Sequence, residues 1–400
     1  SPGGGDLAFD TGIAAGNSGM HVRAAAEELV RKGERAHHAG KVADAARYYR
    51  DAIQTDPKNA EAHYLMGIMA RKAGELELAL NLTQRATKLK PGFAEAHNGL
   101  GNLYRELGDE RKAIASHEQA LALRPGYADA IHNIGIAQVE LGELDSARER
   151  YREAIELGLR GPVERTLERQ PMQVESARPV LRDAKARFEA NNIPFWLSHG
   201  TLLGVVRDGD LLPHDKDMDL GLNWSVARSD ALQALTEGDC FRAVGRSKKP
   251  APDCFYMNFR HVASGNVLDL FFLKPDGEFL LQGFESLPVP TLSRLNRFEI
   301  SSMDWQGEAW PVPDAAERYL AEMYGPDWRI PDADFDTILS SSARVPESIP
   351  WRRNYGYQRL SNLVLDGHWR KARAIAEQVQ RLHPDEFLEA LIPRLSERID

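Results

Sequence analysis

The stretch Ser198-His-Gly-Thr-Leu-Leu-Gly-Val-Val-Arg-Asp-Gly-Asp-Leu-Leu-Pro-His-Asp-Lys-Asp-Met-Asp-Leu-Gly-Leu222 carries three aspartates, Asp215, Asp217 and Asp219, at every second position. A β-strand has a side-chain period of two, so a strand here projects all three carboxylates from one face, with Lys216, Met218 and Leu220 on the other. Carboxylates at i and i+2 lie roughly 6.5 Å apart along a strand. Their repulsion grows in a cleft of low dielectric. A hard divalent cation relieves it, and Mg²⁺ is the usual occupant, with Mn²⁺ as the alternative. The alternation reads as a metal site suited to phosphate chemistry.

Residues on either side of this stretch supply the rest of a site. The pattern from Pro171 to Asn192 is helical, and Phe195-Trp-Leu-Ser198 reads as a short strand running into Gly200 and Thr201. A glycine and a hydroxyl residue after a strand let backbone amides approach a phosphate. A helix or turn then carries Leu202 to Arg207, and Asp208-Gly-Asp210 makes a turn. Further on, Val267-Leu-Asp-Leu-Phe-Phe-Leu273 is an apolar run broken by one charge, Asp269. An ionised carboxylate there is costly unless paired or metal-bound. Asp269 is therefore a third metal ligand, or else a residue that points outward or pairs with Arg260.

The chain has 400 residues, 42% of them hydrophobic and 27% charged, enough for two or three cored domains. Its net charge of −9 argues against a general nucleic-acid binder, which needs a basic surface. Two cysteines, Cys240 and Cys254, make neither a disulfide framework nor a zinc motif. No apolar run approaches the length of a bilayer span. Residues 1–19 are Gly-rich, lack the features of a secretory signal, and read as a disordered leader or tag outside the fold. The expected location is cytoplasmic, with peripheral attachment at the inner membrane face left open.

The first 160 residues repeat with a period of 34: Gly40, Gly74, Gly108 and Gly142 keep that spacing, as do Ala45, Ala79, Ala113 and Ala147, and Ala52, Ala86, Ala120 and Ala154. Pro57, Pro91 and Pro125 close three of the units. Each unit reads as helix, turn, helix, and the array resembles tetratricopeptide repeats. Such an array leaves a concave groove for a protein partner or a second copy of the chain. His63 and His97 recur one period apart and read as packing residues. Gly367, Ala372 and Pro384 reproduce the same offsets, so Trp351–Asp400 is expected to be a further helical pair.

Gly200-Thr-Leu-Leu-Gly204, Arg207, Leu212-Pro213 and the triple aspartate together resemble the LicD and fukutin-related family of phosphotransferases, within the nucleotidyltransferase superfamily. Tyr319-Leu-x-x-x-Tyr-Gly-x-x-Trp328 followed by Pro331 matches a later motif of that family. One departure is His214, where the family usually carries Trp. The resemblance implies transfer of a substituted phosphate, such as phosphocholine or ribitol phosphate, from a CDP-linked alcohol to a glycan or glycolipid hydroxyl, with release of CMP. It assigns Asp217 and Asp219 as the main metal ligands and Asp269 as a third ligand or the base. Asp215 becomes a peripheral ligand or orienter, or else a structural residue, Gly200 and Thr201 the phosphate cradle, and Arg207 its cationic partner, or else half of a surface or structural salt bridge.

Weaker candidates are Tyr256, Arg260 and His261, which precede the Asp269 strand, and Tyr324 by analogy. Lys248-Lys249 reads as a solvated pair and Trp305, Trp310 and Trp328 as core. The expected architecture is a tetratricopeptide array over residues 20–160, a nucleotidyltransferase-like mixed-sheet domain over 161–350, and a helical segment over 351–400. Two rival readings stay open: a nucleotidyltransferase that leaves a nucleoside monophosphate on its acceptor, and a repeat scaffold carrying an inactive catalytic domain.

Overall fold

The computed structural model describes residues 12–161, 174–213, 215, 217–284, 291–332, 334–345 and 349–399. His214 and Lys216, both singled out above, lie outside them, as do residues 1–11 of the expected leader and 171–173 of the expected helix. Packing divides the chain into two compact units, Ser1–Ala137 and Gln138–Asp400.

The first unit holds α1 (Gly12–His38), α2 (Val42–Thr55), α3 (Ala60–Lys72), α4 (Leu76–Leu89), α5 (Ala94–Glu106), α6 (Glu110–Leu123) and most of α7 (Ala128–Glu140). Because α1 starts at Gly12, residues 12–19 are helical rather than a disordered leader. Every turn inside a repeat closes in the same way. Glu75 N–H donates to Ala70 O at 2.9 Å and Gly74 N–H to Arg71 O at 3.0 Å; Asp109 to Tyr104 and Gly108 to Arg105 repeat the pair at 2.9 and 3.0 Å. This closure caps orphan carbonyls but needs a left-handed residue, and Gly40, Gly74 and Gly108 adopt φ of 72, 81 and 80°. Ala45, Ala52, Ala79, Ala86, Ala113 and Ala120 are wholly buried, which lets the helices approach closely. His63 and His97 each bond through Nε2 to a proline carbonyl, Pro57 O and Pro91 O, at 3.0 Å, so both fasten a turn to the helix that follows it.

The second unit begins with α8 (Leu144–Arg160) and α9 (Val174–Ala190). The sheet domain follows: β1 (Phe195–Leu197), α10 (His199–Asp208), β2 (Asp217–Asn223), α11 (Arg228–Thr236), β3 (Phe241–Ala243), β4 (Tyr256–His261) and β5 (Val267–Asp276). Next come β6 (Phe279–Phe284), β7 (Thr291–Asn296), β8 (Ile300–Trp305), β9 (Glu308–Pro313), α12 (Ala316–Tyr324) and α13 (Thr337–Ser340). Helices α14 (Ile349–Leu365), α15 (Trp369–Leu382) and α16 (Glu386–Ser396) close the chain. The main sheet runs β1-β2-β5-β4-β3, with β2 and β5 parallel and the other neighbours antiparallel; β6 and β7 extend from the far half of β5, and β8-β9 is a separate hairpin.

Alternation along the central strands makes two unlike faces. Met218, Leu220 and Leu222 on β2, Leu268, Leu270 and Phe272 on β5, and Met257 and Phe259 on β4 are fully buried. They share one core with Val180, Leu181, Ala184 and Phe188 of α9 and Ala231, Ala234 and Leu235 of α11. The residues between them, including Asp217, Asp219, Asp269, Tyr256 and Asn258, point from the other face. Trp305, Trp310 and Trp328 are buried in the same domain core.

The expected C-terminal pair is three helices, the first of which packs on α8 across nearly two hundred residues of chain. Arg148 Nη1 donates to Asn354 Oδ1 at 2.9 Å, Asn354 Nδ2 to Leu144 O at 3.0 Å, and Arg394 grips Glu156 through two bonds of 2.7 and 2.9 Å. Asp385, the N-cap of α16, accepts from Arg152 of α8 at 2.8 Å, from Tyr357 Oη of α14 at 2.9 Å, and from Arg353. Although burial opposes it, these partners hold the Asp385 carboxyl at about 2, below its ordinary range.

Candidate active site

The polar face of the sheet gathers its carboxylates at the β2/β5 pair. The parallel register sets Asp219 directly beside Asp269, and Asn258 on β4 stands across from Asp269. Oxygens of Asp215, Asp217 and Asp219 all lie within 4.8 Å of one another, and Asp217 and Asp269 are hydrogen-bonded. The aspartate strand is shorter than the alternation suggests. It begins at Asp217, and Asp215 sits in the preceding turn, where its N–H donates to Leu212 O at 3.2 Å. Asp215 thus reaches the cluster from outside the strand.

Asp219 and Asp269 are 6% and 4% exposed, deep enough that ionisation is disfavoured. Burial, followed by the charges of Asp217, Asp215 and Asp269, raises the Asp219 carboxyl well above the ordinary carboxylate range. Burial and then Asp217 do the same to Asp269. A hard, all-oxygen donor set with this electrostatic frustration fits a divalent cation.

Gly200 and Thr201 hold the cluster in place. Gly200 N–H, in the first turn of α10, donates to Asp219 Oδ2 at 2.9 Å, and Thr201 Oγ1 accepts from Asp219 N–H at 2.8 Å. A Cβ on Gly200 would overlap the Asp215 carboxylate. The helix N-terminus also favours the negative charge it faces. In this structure the two residues expected to cradle phosphate are engaged with the aspartates themselves. Arg207, the expected cation, forms a two-bond pair with Asp208 at 2.8 and 3.0 Å.

Several site residues have weak or no sequence signals. Asn258 Nδ2 donates to Asp269 Oδ1 at 2.5 Å and to Tyr256 Oη at 3.1 Å, and the Tyr256 hydroxyl also bonds Asp269. Burial and then Asp269 push the Tyr256 phenol far up, keeping it a donor. Tyr256 was a candidate only because it precedes the Asp269 strand, and Asn258 carried no sequence signal. Arg260, a possible partner for Asp269, donates instead to Gly265 O at 2.7 Å, and His261 faces away, bonding Asp183 at 2.9 Å. Lys248 and Lys249 are exposed.

His199 has φ of +42°, a conformation that costs energy for a residue with a Cβ. Its Nδ1 lies 2.9 Å from Ser198 Oγ, which bonds Tyr319 Oη at 2.8 Å, and its ring stacks on Phe271 at 3.9 Å. Burial lowers the imidazole to about 3, so it is neutral at pH 7. Tyr324, reached above by analogy only, is held un-ionised by burial and then by Asp219 and Asp215.

These features form a buried carboxylate cluster on a sheet face, and the comparisons show what this part of the chain is similar to. Residues 192–285 match the family described as LicD/FKTN/FKRP, nucleotidyltransferase domain, and residues 36–103 and 92–159 match two tetratricopeptide repeat families. The chain therefore carries a LicD/FKTN/FKRP domain alongside tetratricopeptide repeats. Among similar curated proteins are the ribitol-5-phosphate transferases FKTN of Macaca fascicularis and Homo sapiens, each 25% identical over 178 residues, covering 44% of this chain and 38% of theirs. The matched segment thus spans under two fifths of those relatives' length. Among solved structures, MamA is 29% identical, covering 37% of this chain and 88% of its own, with a TM-score of 0.32. Among the described residues, no helix is long and apolar enough to cross a membrane.

Proposed function

We propose that this chain transfers a substituted phosphate, of the ribitol phosphate or phosphocholine kind, from a CDP-linked alcohol to a hydroxyl of a glycan or glycolipid, releasing CMP. The observation that supports it best is the convergence of Asp215, Asp217, Asp219 and Asp269 on the polar face of β2 and β5. In the reaction the acceptor oxygen forms a bond to the phosphorus that bears the alcohol. The bond from that phosphorus to the bridging oxygen breaks, and CMP leaves with the electron pair.

Asp217, Asp219 and Asp215 are the residues that would hold Mg²⁺ or Mn²⁺, which when bound would neutralise the phosphate oxygens of donor and leaving group. Asp269, with its raised affinity for a proton, is suited either to ligation or to taking the acceptor's hydroxyl proton. Asn258 and Tyr256 fix the direction of its carboxylate. Gly200 N–H orients the Asp219 carboxylate and Thr201 anchors the Asp219 backbone, so both act on the phosphate through the cluster.

Product mass tests the class of transfer. Incubation with CDP-ribitol, CDP-choline, CDP-glycerol or CDP-ethanolamine, Mg²⁺ and a glycan acceptor should add the substituted phosphate to the acceptor. Addition of a cytidine monophosphate instead would replace this reading with nucleotidyl transfer.

A further inference from the structure

Beside the carboxylate cluster, β6, β7, α12 and α14 line a small cavity of about 20 Å³. Arg352, near the start of α14, is 1% exposed and lines it. Its Nη2 donates to Leu292 O at 2.9 Å and lies 3.4 Å from Ser293 Oγ, whereas Nε and Nη1 have no acceptor among the described residues. Gln282, on the same wall and 2% exposed, donates through Nε2 to Met323 Sδ at 3.0 Å, and its Oε1 has no donor among the described residues.

Among the described residues, no carboxylate bears on the Arg352 charge either. After burial, the group that bears most on it is another cation, Arg344, whose own Nη1 donates to Leu339 O at 2.5 Å. Fully buried cations are stable only when paired, because neither burial nor neutral hydrogen bonds replace a counter-charge. The cavity has room for about one water-sized atom. A water could satisfy the hydrogen bonds of Arg352 and Gln282 but not the charge; an anionic oxygen satisfies both on the arginine side.

We propose that this cavity is an oxyanion subsite in which a phosphate-class group seats one oxygen on Arg352 Nε and Nη1. Its position ties it to the catalytic face. His199, on its wall, precedes the Gly200 amide that binds Asp219, and Phe271 follows Asp269 by two positions on the same face of β5. Their rings pack against each other at 3.9 Å on the cavity wall. The proposal does not rest on the transferase reading, since it is measured without donor or metal.

The experiment is thermal unfolding of the full chain in chelator-treated buffer at fixed ionic strength, titrated with inorganic phosphate. Wild type should show a saturable rise in Tm, which mass action converts to a Kd. Arg352→Met should weaken that Kd at least tenfold while unfolding no earlier than wild type in phosphate-free buffer, which serves as the folding control. The double variant Asp217→Asn, Asp219→Asn should keep the phosphate response. A sugar phosphate binding tenfold tighter than inorganic phosphate would assign the oxyanion to a substrate; equal binding would assign it to free phosphate. No saturable response in wild type, or the same response in Arg352→Met, would overturn the proposal and leave a water-filled cavity.

Discussion

At the scale of single residues, the carboxylate cluster depends on a missing side chain at Gly200 and on the amides of Gly200 and Asn258. Gly200 leaves room for Asp215, and its N–H fixes Asp219. Gly200→Ala should therefore cut turnover by about 100-fold or more, because a displacement near 1 Å is costly in a positioned site; steady-state kinetics at saturating donor measure it. Asn258→Ala removes a charge-assisted bond to Asp269 worth about 1.5–3 kcal/mol. A fall in kcat of roughly 10- to 100-fold is expected, with a Tm lower by several degrees, read by kinetics and calorimetry. Asp217, Asp219 and Asp269 were legible because a period of two and a lone charge in an apolar run are visible in one sequence. Asn258 was not, since an amide in a mixed strand carries no such contrast. The strained His199 was not either, because backbone strain is set by what surrounds a residue.

Among the elements, the repeat helices were the most legible, because their turns are chemically specified. A glycine at each turn adopts a left-handed φ that other residues enter only at a cost, so the spacing of glycines marks the helix ends. Gly367 follows the same rule at φ of 72°, with His368 N–H donating to Leu363 O at 2.8 Å, which is why the C-terminal segment could be read as repeat-like. The third helix, α16, had no repeat signal. It is held by Asp385, which gathers Arg152, Arg353 and Tyr357. The pH dependence follows from that pairing. The folded carboxyl lies at about 2, below its unfolded value of 3.8, so its contribution is present above pH 4 and is lost as pH falls from about 4 towards 2. The shift corresponds to about 2 kcal/mol. Urea unfolding of wild type and Asp385→Asn should differ by about that amount at pH 6 and converge near pH 2; a constant difference would mean that the carboxylate charge does not hold α16.

At the level of the whole molecule, the chain leaves the repeat pattern after α8, builds the sheet domain, and returns to repeat-like helices that pack on α8. That return was only partly legible: offsets at Gly367, Ala372 and Pro384 announced helices, but nothing local could say that α14 would meet α8 through Arg148 and Asn354. The boundary between the two compact units, near the end of α7, was likewise invisible, because it depends on partners far away in sequence. The sheet domain's two faces were legible strand by strand, while the register that sets Asp219 beside Asp269 needed the fold. The central claim is that this register creates a metal-dependent phosphate-transfer site. The most direct test is CMP release from a CDP-linked alcohol with a glycan acceptor, measured with and without Mg²⁺ for wild type and for the folded double variant Asp217→Ala, Asp219→Ala. The account predicts Mg²⁺-dependent release by wild type and none above background by the variant; equal release by both proteins would contradict it.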